Sequence, residues 1–203
     1  MHTLRRPRVA YSYETGWATE LGTAAQKISI ETRRFTGDLH FHPNGSSYLA
    51  PEPDQIQYVG SPSPEIDQNW ADLINDRYFY LSELEALSVW GPDFDGYYDI
   101  VDGQKQYVGG LDILHTLHCV NTLRQHLDLD YYMKQDIHHP SQIHNYHCID
   151  QIRQYLMCNG DLTPVPTRWH EGRGSIYVES NMLHTCRNFD SILGWVKRRD
   201  LVY

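Results

Sequence analysis

The sequence predicts a mainly α protein with small β-hairpins, of the α+β class, in which two antiparallel-packed helices lie at the core. A short phrase that contains His-x-x-His-Cys occurs twice, over residues 115–127 and 144–156. Apolar residues recur at helical spacing through both copies, which predicts a helix in each. Short stretches of alternating polarity, bounded by glycine, proline or Asp-Gly, are typical of small hairpins.

Length and charge limit the number of domains and the kinds of partner that the chain can have. A chain of 203 residues is long enough to bury the core of one domain. Residues 1–26 carry arginine and proline, then aromatic and small side chains, and predict an extended N-terminal arm, whereas residues 27–203 predict a single domain. The formal net charge of −9 argues against a nucleic-acid partner, because the sequence has no basic stripe to neutralise phosphates.

The segment after the arm predicts two strands, a loop and a helix. Residues 28–35 alternate between apolar and polar side chains as a half-buried strand does, and residues 39–42 are expected to pair back on it. Residues 43–64, rich in proline, glycine and serine, predict a loop. A helix is expected from Pro64, with Ser63 as its N-cap.

A capping box and a hairpin signal precede the first histidine motif. The Ser-x-x-Glu pattern at 82–85 predicts the start of a short helix that runs through Leu87, followed by a loop over 91–96. Residues 98–108 predict a hairpin, since Asp102-Gly103 between β-rich runs favours a tight primed turn.

The ends of the two motif helices follow from their capping residues. The first should end near residues 128–130, and the second should begin after Ser141 and end at Asn159-Gly160. A loop of about a dozen residues is expected between them, which is long for such a connection. Prolines and glycines over 164–174 predict another loop, and a final helix should include residues 192–196.

The repeated motifs place four histidines at one helical spacing. These are His115, His118, His144 and His147. Side chains three residues apart on a helix are neighbours, roughly 5–6 Å apart at Cβ, so two such helices packed together aim four imidazoles at one small volume. Neutral imidazoles that crowd together need partners, and charged ones repel each other. A bound metal ion resolves both problems, and a structural hydrogen-bonded cluster is the alternative.

The donor types restrict the metal. Bundles with Glu-x-x-His helices build di-iron sites, but carboxylates are missing from the equivalent positions here, which leaves an all-imidazole site. Imidazole suits copper, zinc, iron and nickel, with copper favoured by affinity. Four histidines around one zinc would be structural only. A redox copper, or two coppers with two histidines each, could activate dioxygen, and the spacing does not choose among these possibilities.

The four cysteines are an even set that suits two disulfides in an oxidising compartment. We expect the pairs Cys119–Cys148 and Cys158–Cys186, because a free thiolate beside an oxidising copper would itself be oxidised. Ligation of the metal by Cys119 or Cys148, each one helical turn from a motif histidine, is the rival prediction.

Other histidines fit ordinary roles. Exposed or hydrogen-bonded positions are expected for His40, His42, His138, His139 and His170. His184, beside Cys186, is the best candidate for an additional metal ligand.

Two details favour the secretory route. Asn44-Gly45-Ser46 is an N-glycosylation acceptor in a turn-rich stretch. The even cysteine count suits an oxidising compartment. The sequence has no apolar run of membrane-span length and no signal-peptide core before the first polar stretch.

The paired motifs resemble those of the UstYa-like mycotoxin-biosynthesis proteins of fungi. In both copies His-x-x-His-Cys is followed five residues later by an arginine, Arg124 and Arg153. The flanking stretches agree as well, and they lie at 58–70, 82–85, 161–164 and 184–190. The resemblance extends over most of the chain.

This resemblance implies oxidative tailoring of natural products, with copper held by the four motif histidines. Relatives are associated with macrocyclisation, hydroxylation or chlorination of peptides and polyketides, so a ribosomal or nonribosomal peptide or a small natural product is the expected substrate. A redox-independent cyclase, or a non-catalytic partner of a homologous oxidase, are the alternatives. A homologous subunit or a homodimer is the expected assembly. Members usually carry an N-terminal transmembrane helix, which this sequence lacks, and the expected location is the lumen of the secretory pathway.

Overall fold

The computed structural model describes residues 11–49, 54–135 and 141–202. The α-helices of this part of the chain are α1 (Gly22–Ala25), α2 (Pro64–Ile74), α3 (Glu83–Trp90), α4 (Asp112–Leu127), α5 (Leu129–Tyr132), α6 (Gln142–Asn159) and α7 (Phe189–Val196). Its strands are β1 (Ile30–Arg34), β2 (Leu39–Phe41), β3 (Ser47–Leu49), β4 (Phe79–Leu81), β5 (Asp99–Val101), β6 (Gln104–Gly109), β7 (Thr167–His170), β8 (Ser175–Val178) and β9 (Leu183–Arg187). Helices with small antiparallel sheets confirm the predicted fold class.

The chain divides into two compact units, each assembled from separate stretches of sequence. The first unit takes residues 1–31, 78–109 and 185–203, as far as these are described, and the second, the helical unit, takes residues 32–77 and 110–184. The N-terminal arm over residues 1–26 and the single domain over residues 27–203, which the sequence predicts, stay predictions.

In the helical unit, α2 begins where its cap predicted. The Ser63 hydroxyl accepts a hydrogen bond from the backbone N–H of Ile66, and Pro64 occupies the first turn. Ile66, Trp70 and Ile74 recur on one face of α2 and are buried together. Since burial of each large apolar side chain contributes about 1.5–3 kcal/mol, this face anchors α2 beside α4.

A buried polar network ties α4 to α2 and α5. The guanidinium of Arg124 donates hydrogen bonds of 2.7 Å to Asp67 and 2.7 Å to the Tyr132 hydroxyl, which itself donates to Asp67 at 2.8 Å. Burial, together with the hydrogen bond to Asp67, raises the pKa of Tyr132 to about 12. The phenol therefore stays a hydrogen-bond donor at physiological pH, and the network holds the position of α4.

The motif helices are confirmed, and the described part of the segment between them, up to residue 135, contains helical turns that the sequence did not predict. Ser141 caps α6 by accepting a hydrogen bond from the N–H of His144 at 3.3 Å, and Gly160 ends it with a φ of 26°. The predicted loop after α4 instead contains the short α5 and a turn of 3₁₀-helix over Met133–Gln135.

One predicted strand pairing was wrong, and two predicted loops contain strands. β2 pairs with β3 as a hairpin, and β1 pairs with β9, so residues 39–42 do not pair back on β1. The hairpin turns at Asn44-Gly45, where Gly45 has a φ of 86°. Asn-Gly is a strong hairpin signal that a composition-based loop assignment overlooks. The predicted loop near 164–174 likewise contains β7, which pairs with β8.

In the first unit, the predicted capping box and Asp-Gly hairpin are both confirmed. Ser82 and Glu85 exchange the two hydrogen bonds of a capping box, and α3 continues past Leu87 to Trp90. β5 and β6 pair around Asp102 and Gly103, whose φ values of 51° and 75° suit a primed turn. The final predicted helix is present as α7.

Candidate metal centre

Helices α4 and α6 pack against each other and bring the four motif histidines together. The ring centroid of His115 lies 5.6 Å from that of His147, and the centroid of His118 lies 6.1 Å from that of His144. The first histidine of one helix thus faces the second of the other, which is the antiparallel arrangement predicted for the core. His144 and His147 are also 6.1 Å apart, so the rings form one cluster.

The cluster lies at the surface over a buried floor. His147 is exposed and the other three histidines are partly buried, whereas Cys119 and Cys148 below them are fully buried. The two thiols are in hydrogen-bonding contact, and the Cys148 sulfur lies 3.9 Å from Nδ1 of His144. The imidazoles are therefore at least partly accessible to solvent, whereas the two thiols are not.

The predicted disulfides are not formed in the structure. None of the four cysteines is in a disulfide, so the expected pairs Cys119–Cys148 and Cys158–Cys186 are both absent. The repeat does bring Cys119 and Cys148 together, as packed helices require. Burial raises the pKa of the Cys119 thiol to about 12, and the Cys148 thiol and the Asp112 carboxylate contribute in the same direction. Without a metal ion this thiol is protonated at physiological pH.

Burial and nearby charges set the protonation state of His118. Burial lowers the pKa of His118 to about 4, and the positive charges of Arg77, His144 and His115 lower it further. The imidazole of His118 is neutral at physiological pH, which is the form that binds metals. Nδ1 of His115 lies 3.7 Å from the carboxylate of Asp112.

Three donor atoms of the cluster are already close enough to share an ion. Ligand atoms of His115, Cys119 and His147 all lie within 4.8 Å of one another. Imidazole nitrogen and thiolate sulfur are donors that copper and zinc accept, so the residues present fit a transition metal. The repeated spacing predicted that the four histidines lie together. It did not decide whether Cys119 is a metal ligand or part of a disulfide, because only the packing of α6 on α4 brings Cys119 next to His147.

The remaining histidines lie in other surroundings. His184 does not join the donor group; its Nδ1 lies 2.6 Å from the Asp161 carboxylate and its ring stacks on Phe35. Hydrogen bonds from Thr163, then that of His184, lower the pKa of Asp161 to about 2, which keeps this carboxylate charged. His40 and His42 stack on Tyr48. His138 and His139 lie outside the described residues.

Comparison with known proteins identifies the family. The family model described as mycotoxin biosynthesis protein UstYa matches residues 17–199. The UstYa family oxidase phomYd of Diaporthe leptostromiformis is 37% identical over 93% of this chain and 64% of its own length. The UstYa family oxidase aprY of Aspergillus flavus is 30% identical over 75% of this chain and 49% of its own length.

A relative with a different name is also similar. The transacylase cctO of Talaromyces islandicus is 29% identical over 68% of this chain and 51% of its own length. The chain thus spans roughly half to two thirds of these curated relatives, and no solved structure matches it. Among the described residues, none of the helices has both the length and the apolar character that crossing a bilayer requires. Because the family model matches nearly the whole sequence, the chain belongs to the UstYa family of mycotoxin-biosynthesis proteins.

Proposed function

We propose that the chain is a copper-dependent oxidoreductase that tailors a fungal secondary metabolite with dioxygen as oxidant. The observation that carries the proposal is the convergence of four imidazoles from α4 and α6 above two buried thiols. Membership of a mycotoxin-biosynthesis family supports it, as do the oxidase names of phomYd and aprY. The reaction is an oxidative cyclisation, hydroxylation or halogenation of a peptide or polyketide.

The motif histidines are the residues that hold copper, as one or two ions. They are His115, His118, His144 and His147, with the Cys119 thiol within reach of two of them. Copper, when bound, supplies one-electron chemistry and activation of dioxygen. The chain contributes a neutral imidazole at His118, two fully buried thiols beside the histidines, and an exposed edge at His147 where a substrate can approach.

The substrate, the cellular location, the glycan and the assembly belong to the same proposal. The substrate is a ribosomal or nonribosomal peptide, or a polyketide. The protein acts in the lumen of the secretory pathway, carries a glycan on Asn44, and works as a homodimer or beside a homologous subunit. The exposed position of Asn44 in the turn between β2 and β3 supports the glycan.

Metabolite analysis in a producing fungus tests the proposal. The native gene is replaced by wild type, His118→Ala or His147→Ala, and the metabolites are compared by mass spectrometry. With either variant we expect a precursor that still carries the two hydrogens removed in a cyclisation, or that lacks the added oxygen or halogen. Lys134→Ala, an exposed change outside the cluster, is the matched control and should restore the product. Normal product from both histidine variants would refute the proposal.

A redox-independent function is the second candidate, because the relative cctO is named a transacylase. A cyclase of this kind would fold a reactive precursor in its pocket, and it would work without oxygen. Product formation by purified protein under anaerobic conditions and in the presence of a chelator would favour it over the oxidase. If product requires addition of a homologous oxidase, the chain is instead a non-catalytic partner.

A further inference from the structure

The antiparallel packing divides the histidine cluster into two halves. We call the pair His115 and His147 the acidic half, and the pair His118 and His144 the basic half. The two halves occupy equivalent places in the repeat, because each combines the first histidine of one motif with the second of the other. A cluster built from identical motifs would bind two ions alike. Differences between the halves therefore have to come from the side chains around them.

Two carboxylates, Asp112 and Asp150, lie near the acidic half. Asp112 stands three residues before His115, and its oxygen lies 3.7 Å from the ring nitrogen Nδ1. Asp150 stands three residues after His147, a spacing at which helical side chains are neighbours, and Arg153 forms an ion pair with it at 2.7 Å, which offsets part of its charge. Gln151 of α6 donates a hydrogen bond of 3.0 Å to Asp112 of α4, which fixes this carboxylate across the two helices.

The equivalent positions at the basic half are uncharged. Asn121 replaces the second aspartate, and its side chain accepts a hydrogen bond from Arg124. Ser141 replaces the first aspartate, and its hydroxyl caps α6. The guanidinium of Arg77 adds a positive charge that acts on His118. A metal cation is attracted by the carboxylates of one half and repelled by the guanidinium at the other.

The arrangement of donor atoms also favours metal binding at the acidic half. The acidic half shares its three-donor group with the Cys119 sulfur, with all distances within 4.8 Å. Cys148 holds the corresponding place beside His144, at 3.9 Å, but within the described residues the basic half does not reach such a compact group.

We propose that the first metal ion binds at the acidic half, through His115, His147 and the Cys119 thiolate, and that the basic half binds metal more weakly. The inference rests on the proposed function, since it concerns the same metal. On binding, the Cys119 thiol gives its proton to solvent and its sulfur forms the bond to the ion. Asp112, held by Gln151, is a positioning residue that orients His115, as carboxylates beside metal-binding histidines commonly do.

Titration of chelator-treated protein with Co²⁺ tests this assignment, because a thiolate ligand gives a sulfur-to-cobalt charge-transfer absorption. The first equivalent should bind wild type with that absorption. His147→Ala should weaken this step more than tenfold, whereas the matched His144→Ala should leave it within about threefold. Cys119→Ser should abolish the charge-transfer absorption, whereas Cys148→Ser should retain it.

Two surrounding variants separate positioning from general damage. Asp112→Asn should weaken binding of the first equivalent of Co²⁺ about 10–100-fold, with the charge-transfer absorption retained at saturation. Arg77→Gln should strengthen binding of the second equivalent of Co²⁺. Circular dichroism of the metal-free variants verifies their folding, and the exposed Asp112 provides a test that does not disturb the core. Equal losses in His147→Ala and His144→Ala, or an unchanged absorption in Cys119→Ser, would overturn the inference but leave the proposed function standing. Failure of wild type to bind Co²⁺ or Cu²⁺ would overturn both.

Discussion

Replacement of Arg124 by methionine tests how the fold holds the motif helix α4, because the repeat supplies a matched control. Arg124 and Arg153 occupy the same position in the two motif copies. The side chains of Arg124 and Asp67 are 11% and 26% exposed and lie 2.7 Å apart. Those of Arg153 and Asp150 are also 2.7 Å apart, but they are 53% and 55% exposed. The same substitution therefore removes a buried ion pair in one case and a solvated pair in the other.

The expected loss of stability follows from this difference in exposure. Removal of one partner from a buried ion pair costs about 3–5 kcal/mol. Asp67 keeps the hydrogen bond from Tyr132 and some contact with solvent, so we expect about 3 kcal/mol for Arg124→Met, at the lower end of that range. A solvated pair contributes about 0–1 kcal/mol, which bounds the loss for Arg153→Met.

Urea denaturation followed by circular dichroism measures both losses on metal-free protein. Arg124→Met should lower the denaturation midpoint clearly with an unchanged slope, and Arg153→Met should leave it close to wild type. In a double-mutant cycle, Asp67→Asn should cost less in the Arg124→Met background than in wild type, because its partner is already gone. Equal losses for the two arginines, or strict additivity with Asp67→Asn, would refute the reasoning.

Three further outcomes are expected. Burial opposes ionisation of Glu85, but hydrogen bonds from Arg199 and from the Ser82 backbone outweigh it and lower the pKa of Glu85 to about 2, below the ordinary 4.5. The ionised carboxylate therefore stabilises the fold above pH 4.5, and this contribution to the free energy of unfolding is lost as the pH falls towards 2. Urea melts at pH 5 and pH 3 should show a smaller loss in Glu85→Gln than in wild type. Gly172→Ala should destabilise by about 1–3 kcal/mol, because a Cβ there overlaps the backbone carbonyl of His42, whereas Gly96→Ala, which meets no neighbour, should change the melting temperature little. Protein secreted from a fungal host should lose mass on glycosidase treatment, and Asn44→Gln should abolish that loss; a glycosidase-sensitive Asn44→Gln protein would contradict the assignment.

Local signals predicted much of the fold. Ser63, Ser82 and Ser141 were identified as caps because each hydroxyl satisfies a backbone N–H within its own first turn. The Asp102-Gly103 hairpin was predictable for a similar reason, since the turn needs positive φ at both positions. Such signals act over a few residues and survive in most tertiary contexts.

Long-range pairing was not predictable in the same way. The partner of β1 is β9, which lies about 150 residues away along the chain, and no local pattern specifies that choice. In the site, the repeated spacing identified the four histidines, but the difference between its halves depends on the antiparallel register of α4 and α6. Only that register brings Gln151 to Asp112 and Cys119 to His147.

The central claim is that the imidazoles of α4 and α6 bind copper, and pulsed electron paramagnetic resonance of Cu²⁺-loaded protein tests it most directly. We expect nitrogen couplings from histidine imidazoles, and a loss of part of these couplings in His147→Ala. Couplings that persist unchanged in a variant in which all four motif histidines are alanine, or a copper signal without any histidine nitrogen, would contradict the account.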